Sequence, residues 1–255
     1  MKKKLKQFKK ASAKKPVSLK APISEIFASY QGEGVYVGQP QIFVRFAGCN
    51  LRCDYCDTPK NQVLEENQQY LSLDTIIAKI KELSSKRLSG GEGSVPKTVS
   101  LTGGEPLLYP HFLEKLLPKI KKLKLKIYLE TNGTIPESYA KVKKWIDVVA
   151  MDIKLPTAIK AEYWKEHKEF LQMTKGKVFA KVVLTDKTRG EEIIKAVKTI
   201  AEVSPKIAFV LQPATPVKNA GSAAPYNIHN WARIAREKLA ETSVLVQLQR
   251  FWGVK

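Results

Sequence analysis

The chain has 255 residues, 44% of them hydrophobic, and carries 44 Lys and Arg against 24 Asp and Glu, a formal net charge of +20. That length suits one α/β domain with a sizeable core, and no apolar run reaches the roughly eighteen residues of a membrane-spanning helix. The basic opening MKKKLKQFKKASAKKP leads into no apolar stretch, so it does not read as a secretory leader, and a soluble cytoplasmic protein is expected.

In chain order, nine lysines fall within residues 1–20, a segment with little to bury. Residues 1–21 are therefore read as a disordered basic tail and 22–255 as one core domain. The remainder still carries about +11, read as a solvated cationic surface, with weak nucleic-acid contact through the tail as the alternative. No nucleic-acid-binding module accompanies the charge. Short apolar or β-branched runs then recur at 42–46, 98–101, 127–129, 148–150, 178–184, 207–211 and 244–248, as expected of strands covered on both faces. Between them, Leu73, Ile76, Ile77, Ile80 and Leu83 repeat at helical spacing behind a capping Ser72. Ile193, Ile194, Val197 and Ile200 do the same, as do Trp231, Ile234, Ala235 and Leu239. This alternation implies parallel strands with right-handed crossovers. It leaves strand order, and so the choice between open sheet and barrel, undecided.

Polar or glycine-rich motifs follow nearly every strand: the cysteine loop, TGGEP at 102–106, ETNGT at 130–134, MDIKLP at 151–156 and QPATP at 212–216. Loops at the carboxyl ends of parallel strands converge on one face, where ligands bind. The chain's three cysteines share one window, Cys49-x3-Cys53-x2-Cys56. An odd number cannot all pair as disulfides, and the window is too tight for a useful cross-link. A metal centre is the remaining reading. Zinc would need a fourth ligand, available from His111, His167 or His229. An iron–sulfur cube normally takes four cysteines, so three leave one iron open to a small molecule. Free clustered thiols also fit a reducing compartment.

GCNLRCDYCDT at 48–58, with TGGEP downstream, resembles the radical S-adenosylmethionine (SAM) enzymes. The resemblance implies a [4Fe–4S] cluster on Cys49, Cys53 and Cys56, with SAM on the open iron as the source of a deoxyadenosyl radical. It places Gly103, Gly104 and Glu105 at the methionine moiety, Glu105 at its amino group. Tyr55, with Cys56 and Asp57, falls beside the adenine. Asp152, Lys154, Gln212 and Thr215 fall near the ribose and adenine. Those four would equally suit strand-to-loop exits.

Residues 24–58, SEIFASYQGEGVYVGQPQIFVRFAGCNLRCDYCDT, further resemble the 7-carboxy-7-deazaguanine synthases, which contract a pterin ring on the route to queuosine. That family implies an incomplete (β/α) TIM-like barrel, a homodimer, Mg²⁺, and an external electron donor such as flavodoxin or ferredoxin. Its substrate is 6-carboxy-5,6,7,8-tetrahydropterin, converted to 7-carboxy-7-deazaguanine with loss of ammonia and regeneration of SAM. Tyr30, Gln31, Gly32 and Thr102 match substrate contacts. Arg45 suits the carboxylate as a rigid charged fork, a structural ion pair being its alternative. Thr58 matches the Mg²⁺ ligand, with Asp57 the other candidate, and Glu33 is the candidate for proton transfer. The C-terminus departs from the family: Leu248, Gln249 and Arg250 stand where many members carry threonine, histidine and lysine. Competing readings are a glycyl-radical-enzyme activase, which shares the cysteine loop, and an iron–sulfur electron carrier or RNA-associated protein.

Overall fold

The computed structural model describes residues 19–88, 93–174 and 178–253, so residues 1–18 of the basic tail lie outside the described residues. The strands are β1 (Lys20–Tyr30), β2 (Pro40–Phe46), β3 (Tyr70–Ser72), β4 (Thr98–Gly103), β5 (Lys126–Thr131), β6 (Val148–Asp152), β7 (Val178–Leu184), β8 (Ala208–Pro213) and β9 (Thr242–Val244). They form one sheet in the order β3-β1-β2-β4-β5-β6-β7-β8-β9. Every pair from β2–β4 to β8–β9 is parallel. β1 runs antiparallel to both β2 and β3. Sequential order with one crossover hand carries the connecting helices to a single face, so the sheet curls into an incomplete barrel.

The helices are α1 (Leu73–Ser84), α2 (Pro110–Lys122), α3 (Pro136–Val142), α4 (Pro156–Ile159), α5 (Trp164–Met173), α6 (Gly190–Val203), α7 (Pro225–Arg236) and α8 (Gln249–Trp252). Ser72 caps α1, its side chain accepting from the Thr75 N–H. Alternate strand residues such as Val44, Leu101, Leu129 and Leu211 join Leu113, Leu116, Ile193 and Trp231 of the helices in one buried core. Each such side chain contributes roughly 1.5–3 kcal/mol by leaving water.

The opposite face of the sheet has its own small apolar cluster of Tyr128, Ala150, Phe179 and Val210. The turn after β1 tucks against it, with Tyr36 edge-on to Tyr128 at 5.6 Å. This turn closes on itself through Gly38 N–H to Gln31 O at 2.7 Å and Gln31 N–H to Gln39 O at 2.8 Å. It thereby plugs one end of the barrel.

Three sequence expectations need correction. β1 already begins at Lys20, paired to Ser72, and Ala21 is fully buried, so the ordered body takes in the last residues assigned to the tail. β1 and β3 were not expected as strands; Pro22 and the mixed polar pattern of KAPISEIFASY hide the first, and the second has only three residues. The last strand was expected at 244–248 but occupies Thr242–Val244. Beyond it the chain leaves the ladder, because Leu248 N–H bonds Gly32 O at 2.9 Å instead.

Candidate active site

Side chains alternate along every strand, and the barrel-facing set, apolar at Tyr128, Ala150, Phe179 and Val210, turns polar towards the carboxyl ends of the strands. Arg45 (β2), Thr102 (β4), Glu130 (β5), Asp152 (β6), Lys181 (β7) and Gln212 (β8) all line one cavity of about 600 Å³ with the loops beyond the strands. The cysteine loop forms one wall and the turn after β1 another.

Cys49, Cys53 and Cys56 are half-buried free thiols. Their loop is tied down by backbone bonds, Cys49 N–H to Gln62 O at 3.1 Å and Asp54 N–H to Ala158 O at 3.1 Å. Asn50 extends this anchorage: its Nδ2 donates to Thr134 Oγ1 at 2.8 Å, and its Oδ1 accepts from Asn132 Nδ2 at 2.9 Å. Burial pushes the Cys49 thiol up and Cys53 to about 11. Thiolates here therefore call for a cationic centre to stabilise them. Thr58 Oγ1 lies 4.0 Å from Cys56 Sγ, and exposed Asp57 borders the same cavity.

The TGGEP loop packs backbone to backbone on the cysteine loop. Gly104 N–H bonds Phe46 O at 2.8 Å and Glu105 N–H bonds Gly48 O at 2.8 Å. Gly103 has φ 115°, and a Cβ on Gly104 would stand 1.9 Å from Gly48 O, so only glycine fits. Glu105 is 1% exposed. Its oxygens accept from Leu107 N–H at 3.0 Å, Thr131 Oγ1 at 2.9 Å and Asn132 N–H at 2.8 Å. Burial raises it to about 7 against the pull of those donors.

A ladder of alternating charge crosses the cavity floor. Lys154 Nζ donates to Tyr55 OH at 3.2 Å and pairs with Asp152 Oδ2 at 2.9 Å. Lys181 Nζ stands 3.5 Å from the same Asp152 oxygen and pairs closely with Glu33 Oε2. Glu33 also accepts from Gln212 Nε2 at 3.2 Å, Gln247 Nε2 at 2.6 Å and Gln249 Nε2 at 3.0 Å. Burial alone would raise Glu33, but Lys181 and the hydrogen bonds from Gln247, Lys181 and Gln249 outweigh it and bring the carboxyl down to about 2. Beside it, Glu130 accepts from Gln31 Nε2 at 2.9 Å, Ser100 Oγ at 3.1 Å and Thr102 Oγ1 at 2.7 Å. Arg45 commits its Nε–H to Glu25 at 2.9 Å.

The model of the Radical SAM superfamily matches residues 43–213. The 7-carboxy-7-deazaguanine synthase of Geobacter sulfurreducens is 34% identical over 245 residues, covering 91% of this chain and 97% of that protein. That of Archaeoglobus fulgidus is also 34% identical, covering 93% and 100%. The chain belongs to the 7-carboxy-7-deazaguanine synthase family, within the radical SAM superfamily. The fold is shared with the crystal structure of QueE from Escherichia coli (TM-score 0.58, 21% identity, 88% of this chain and 93% of that one). It is shared equally with a radical SAM methyltransferase from Sphaerobacter thermophilus (TM-score 0.60, 13% identity, 89% and 77%).

The radical SAM superfamily carries a [4Fe–4S] cluster and SAM, and the residues present fit both. The three half-buried free thiols share one loop on the cavity wall. A cube takes one cysteine per iron. His111 and His229 are exposed, and His167 Nε2 is bonded to Asn132 O at 3.1 Å. For SAM, Asp152 Oδ1 is buried without a partner, and the Gly103–Gly104 backbone edge lines the cavity.

Of the residues the family resemblance singles out, Tyr30, Gln31, Gly32, Glu33, Arg45, Tyr55, Thr58, Thr102, Lys154 and Thr215 all border the cavity, together with the cysteines. Glu105 is buried behind Gly103 and Gly104, its oxygens accepting from Leu107 of its own loop and from Thr131 and Asn132 of the next. Glu33 is held by four donors, Lys181, Gln212, Gln247 and Gln249. Gln212 pairs with Glu33 instead of with the Asp152–Lys154 end. The sequence reading missed Glu130, Lys181 and Gln247. Lys181 was detectable as the single charge in the apolar strand VFAKVVL, and Glu130 as the first residue of the ETNGT motif.

Proposed function

We propose that this protein converts 6-carboxy-5,6,7,8-tetrahydropterin to 7-carboxy-7-deazaguanine, the product that the curated relatives are named for, with release of ammonia. The observation that supports this substrate is the pairing, in one cavity of about 600 Å³, of a cation at Arg45 with fixed carboxylates at Glu33 and Glu130. A carboxypterin has the complementary ends: an acid group and a flat aminopyrimidine edge rich in N–H donors. Arg45, braced through Nε by Glu25, offers its remaining N–H groups to the acid. Glu33, whose oxygens already accept from Lys181, Gln212, Gln247 and Gln249, supplies negative charge at the aminopyrimidine end. Glu130 orients Gln31 and Thr102, which flank the ring. A cavity of this size suits a small molecule better than the protein loop an activase must admit.

Cys49, Cys53 and Cys56 would hold the cluster, and Gly103, Gly104, Tyr55, Asp152 and Lys154 would hold SAM. When bound, these groups supply one-electron chemistry that opens a carbon–hydrogen bond of the substrate. The chain's own work is positioning. The Asn50–Asn132–Thr134 network and Glu105 fix the cysteine loop against the ligand space, and the walls exclude water that would quench a radical. Thr58, with Asp57 beside it, would offer oxygen to Mg²⁺, whose shell the substrate carboxylate and water complete. A homodimer, a flavodoxin- or ferredoxin-type reductant, cytoplasmic localisation and weak nucleic-acid contact through residues 1–18 belong to the same proposal.

The test is anaerobic turnover after cluster reconstitution, with reductant, SAM, Mg²⁺ and the carboxytetrahydropterin, read by mass spectrometry. The expected result is 7-carboxy-7-deazaguanine in large excess over 5′-deoxyadenosine. Deoxyadenosine without the deazaguanine would overturn the substrate and leave the superfamily chemistry standing.

A further inference from the structure

His167 on α5 is fully buried, packed against the rings of Tyr163 and Trp164 at 6.5 and 6.3 Å. Its Nε2 stands 3.1 Å from Asn132 O. A carbonyl oxygen can only accept, so Nε2 carries the proton and Nδ1 is left as a bare acceptor. That Nδ1 is buried without a partner among the described residues. Burial pushes the ring down to about 4, so it is neutral at pH 7. An apolar side chain of similar volume would avoid the unpaired nitrogen. What the histidine supplies is its bond to Asn132.

Asn132 joins the loops that face the ligand space. Its N–H donates to Glu105 Oε2 at 2.8 Å, and its Nδ2 donates to Asn50 Oδ1 at 2.9 Å. Asn50 is the chain neighbour of Cys49, and Glu105 of Gly104. The peptide after Asn132 leads into Gly133, at φ 67° in the left-handed region. A glycine there lets the peptide plane turn at little cost, so its orientation depends on tethers at both ends. Thr131 Oγ1 accepts from the Gly133 N–H at 3.2 Å within the same loop. His167 holds the carbonyl end from outside it.

We infer that His167 is a positioning residue for the cluster and SAM: by holding the Asn132 carbonyl it keeps Asn132 in register with Asn50, beside Cys49, and with Glu105, beside the Gly103–Gly104 edge. The inference draws on the superfamily's cluster and SAM and is independent of the pterin. Without the bond, the Asn132–Gly133 peptide can rotate and Asn132 no longer meets both partners at once. The cysteine loop and the glycine edge then lose their common brace. The nearby charges of Asp152 and Lys154 act on the ring in opposite senses, and its part as a donor needs no charge of its own.

The test compares His167→Leu, which removes the donor, with His167→Gln, whose amide Nε2 extends about as far as the ring nitrogen it replaces. In the unaltered full chain, ¹⁵N spectra of the imidazole should show the Nε2–H tautomer at pH 7. Hydrogen exchange at the Asn132 and Gly133 amides should speed up by about tenfold in the leucine variant, the scale of one lost hydrogen bond, and by less than about threefold in the glutamine variant. After cluster reconstitution, SAM affinity should fall by about tenfold in His167→Leu. The electron paramagnetic resonance of its reduced, SAM-bound cluster should broaden from a mixture of loop positions. His167→Gln should restore both. A loss shared equally by the two variants would trace to packing and overturn the inference. So would unchanged exchange in the leucine variant, faster exchange with an unchanged resonance and SAM affinity, or an Nδ1–H tautomer in the unaltered protein. If the leucine variant does not fold, His167→Met, unbranched and equally without a donor, takes its place on the same readouts.

Discussion

Glu33 and Glu105 are carboxyls a short distance apart in function but opposite in electrostatics. Glu33 falls from the ordinary value of 4.5 to about 2 because Lys181 and the glutamine amides outweigh burial. A lowered folded value contributes stability that is present above pH 4.5 and is lost as pH falls through 2, on the order of 3 kcal/mol at most. Glu105 rises to about 7 because burial outweighs its donors. A raised value contributes stability below pH 4.5 that is lost as pH rises through 7. Urea unfolding across pH should therefore show Glu33→Gln losing the acid limb and Glu105→Gln losing the slope between about 4.5 and 7. Glu105→Gln should also cost about 1–3 kcal/mol at pH 8, where the carboxylate accepts from every donor and an amide N–H₂ would instead oppose the backbone N–H of Leu107 or Asn132. Arg45→Ala should weaken 6-carboxypterin binding by roughly tenfold, the scale of a hydrogen bond to a charged group. SAM affinity is the control: a parallel loss there would make Arg45 a structural ion pair of Glu25 and nothing more.

The elements that matter most are loops held by other loops. β4 ends in Gly103 and Gly104 so that its backbone can lie on Gly48, and β5 ends in Thr131 and Asn132 so that they can grip Glu105 and Asn50. Gly104→Ala must push a Cβ into a carbonyl 1.9 Å away. The two loops should part, and iron and sulfide content after reconstitution should fall well below stoichiometric while the far-UV spectrum is retained. Normal cluster content would show that the loops can separate without consequence. This coupling was half legible. TGGEP and ETNGT were visible as motifs after strands, but that one serves as the clamp for the other depends on β4 and β5 being neighbours, which no local pattern encodes. The misplaced last strand has a similar origin. VLVQLQ reads as a continuous strand by propensity, yet its second half gives up the ladder for Gly32 and Glu33, a tertiary competition that propensity cannot weigh.

At the scale of the whole molecule, seven parallel strands flanked by antiparallel β1 and the short edge strand β3 leave a barrel with one open side, and residues 245–253 span it. Residues 1–18 precede this body, whose first strand begins at Lys20. A chain starting at residue 19 should keep kcat/KM within about twofold, because the lysine-rich segment offers few apolar residues to bury. A larger loss with the cluster intact would make the tail part of catalysis. The sequence by itself determined the chemistry's address: three cysteines at fixed spacing, the glycines beside them, the run of strand-end motifs and the Q-G-E-G turn are contiguous signals, each readable within a few residues. Tertiary structure alone decided which charges meet. Glu33, Asp152, Lys154 and Lys181 come from the turn after β1, from β6 and its exit, and from β7, and Gln247 and Gln249 come from the far end of the chain. Their ionisation and orientation follow from distances and burial that exist only once the barrel has closed.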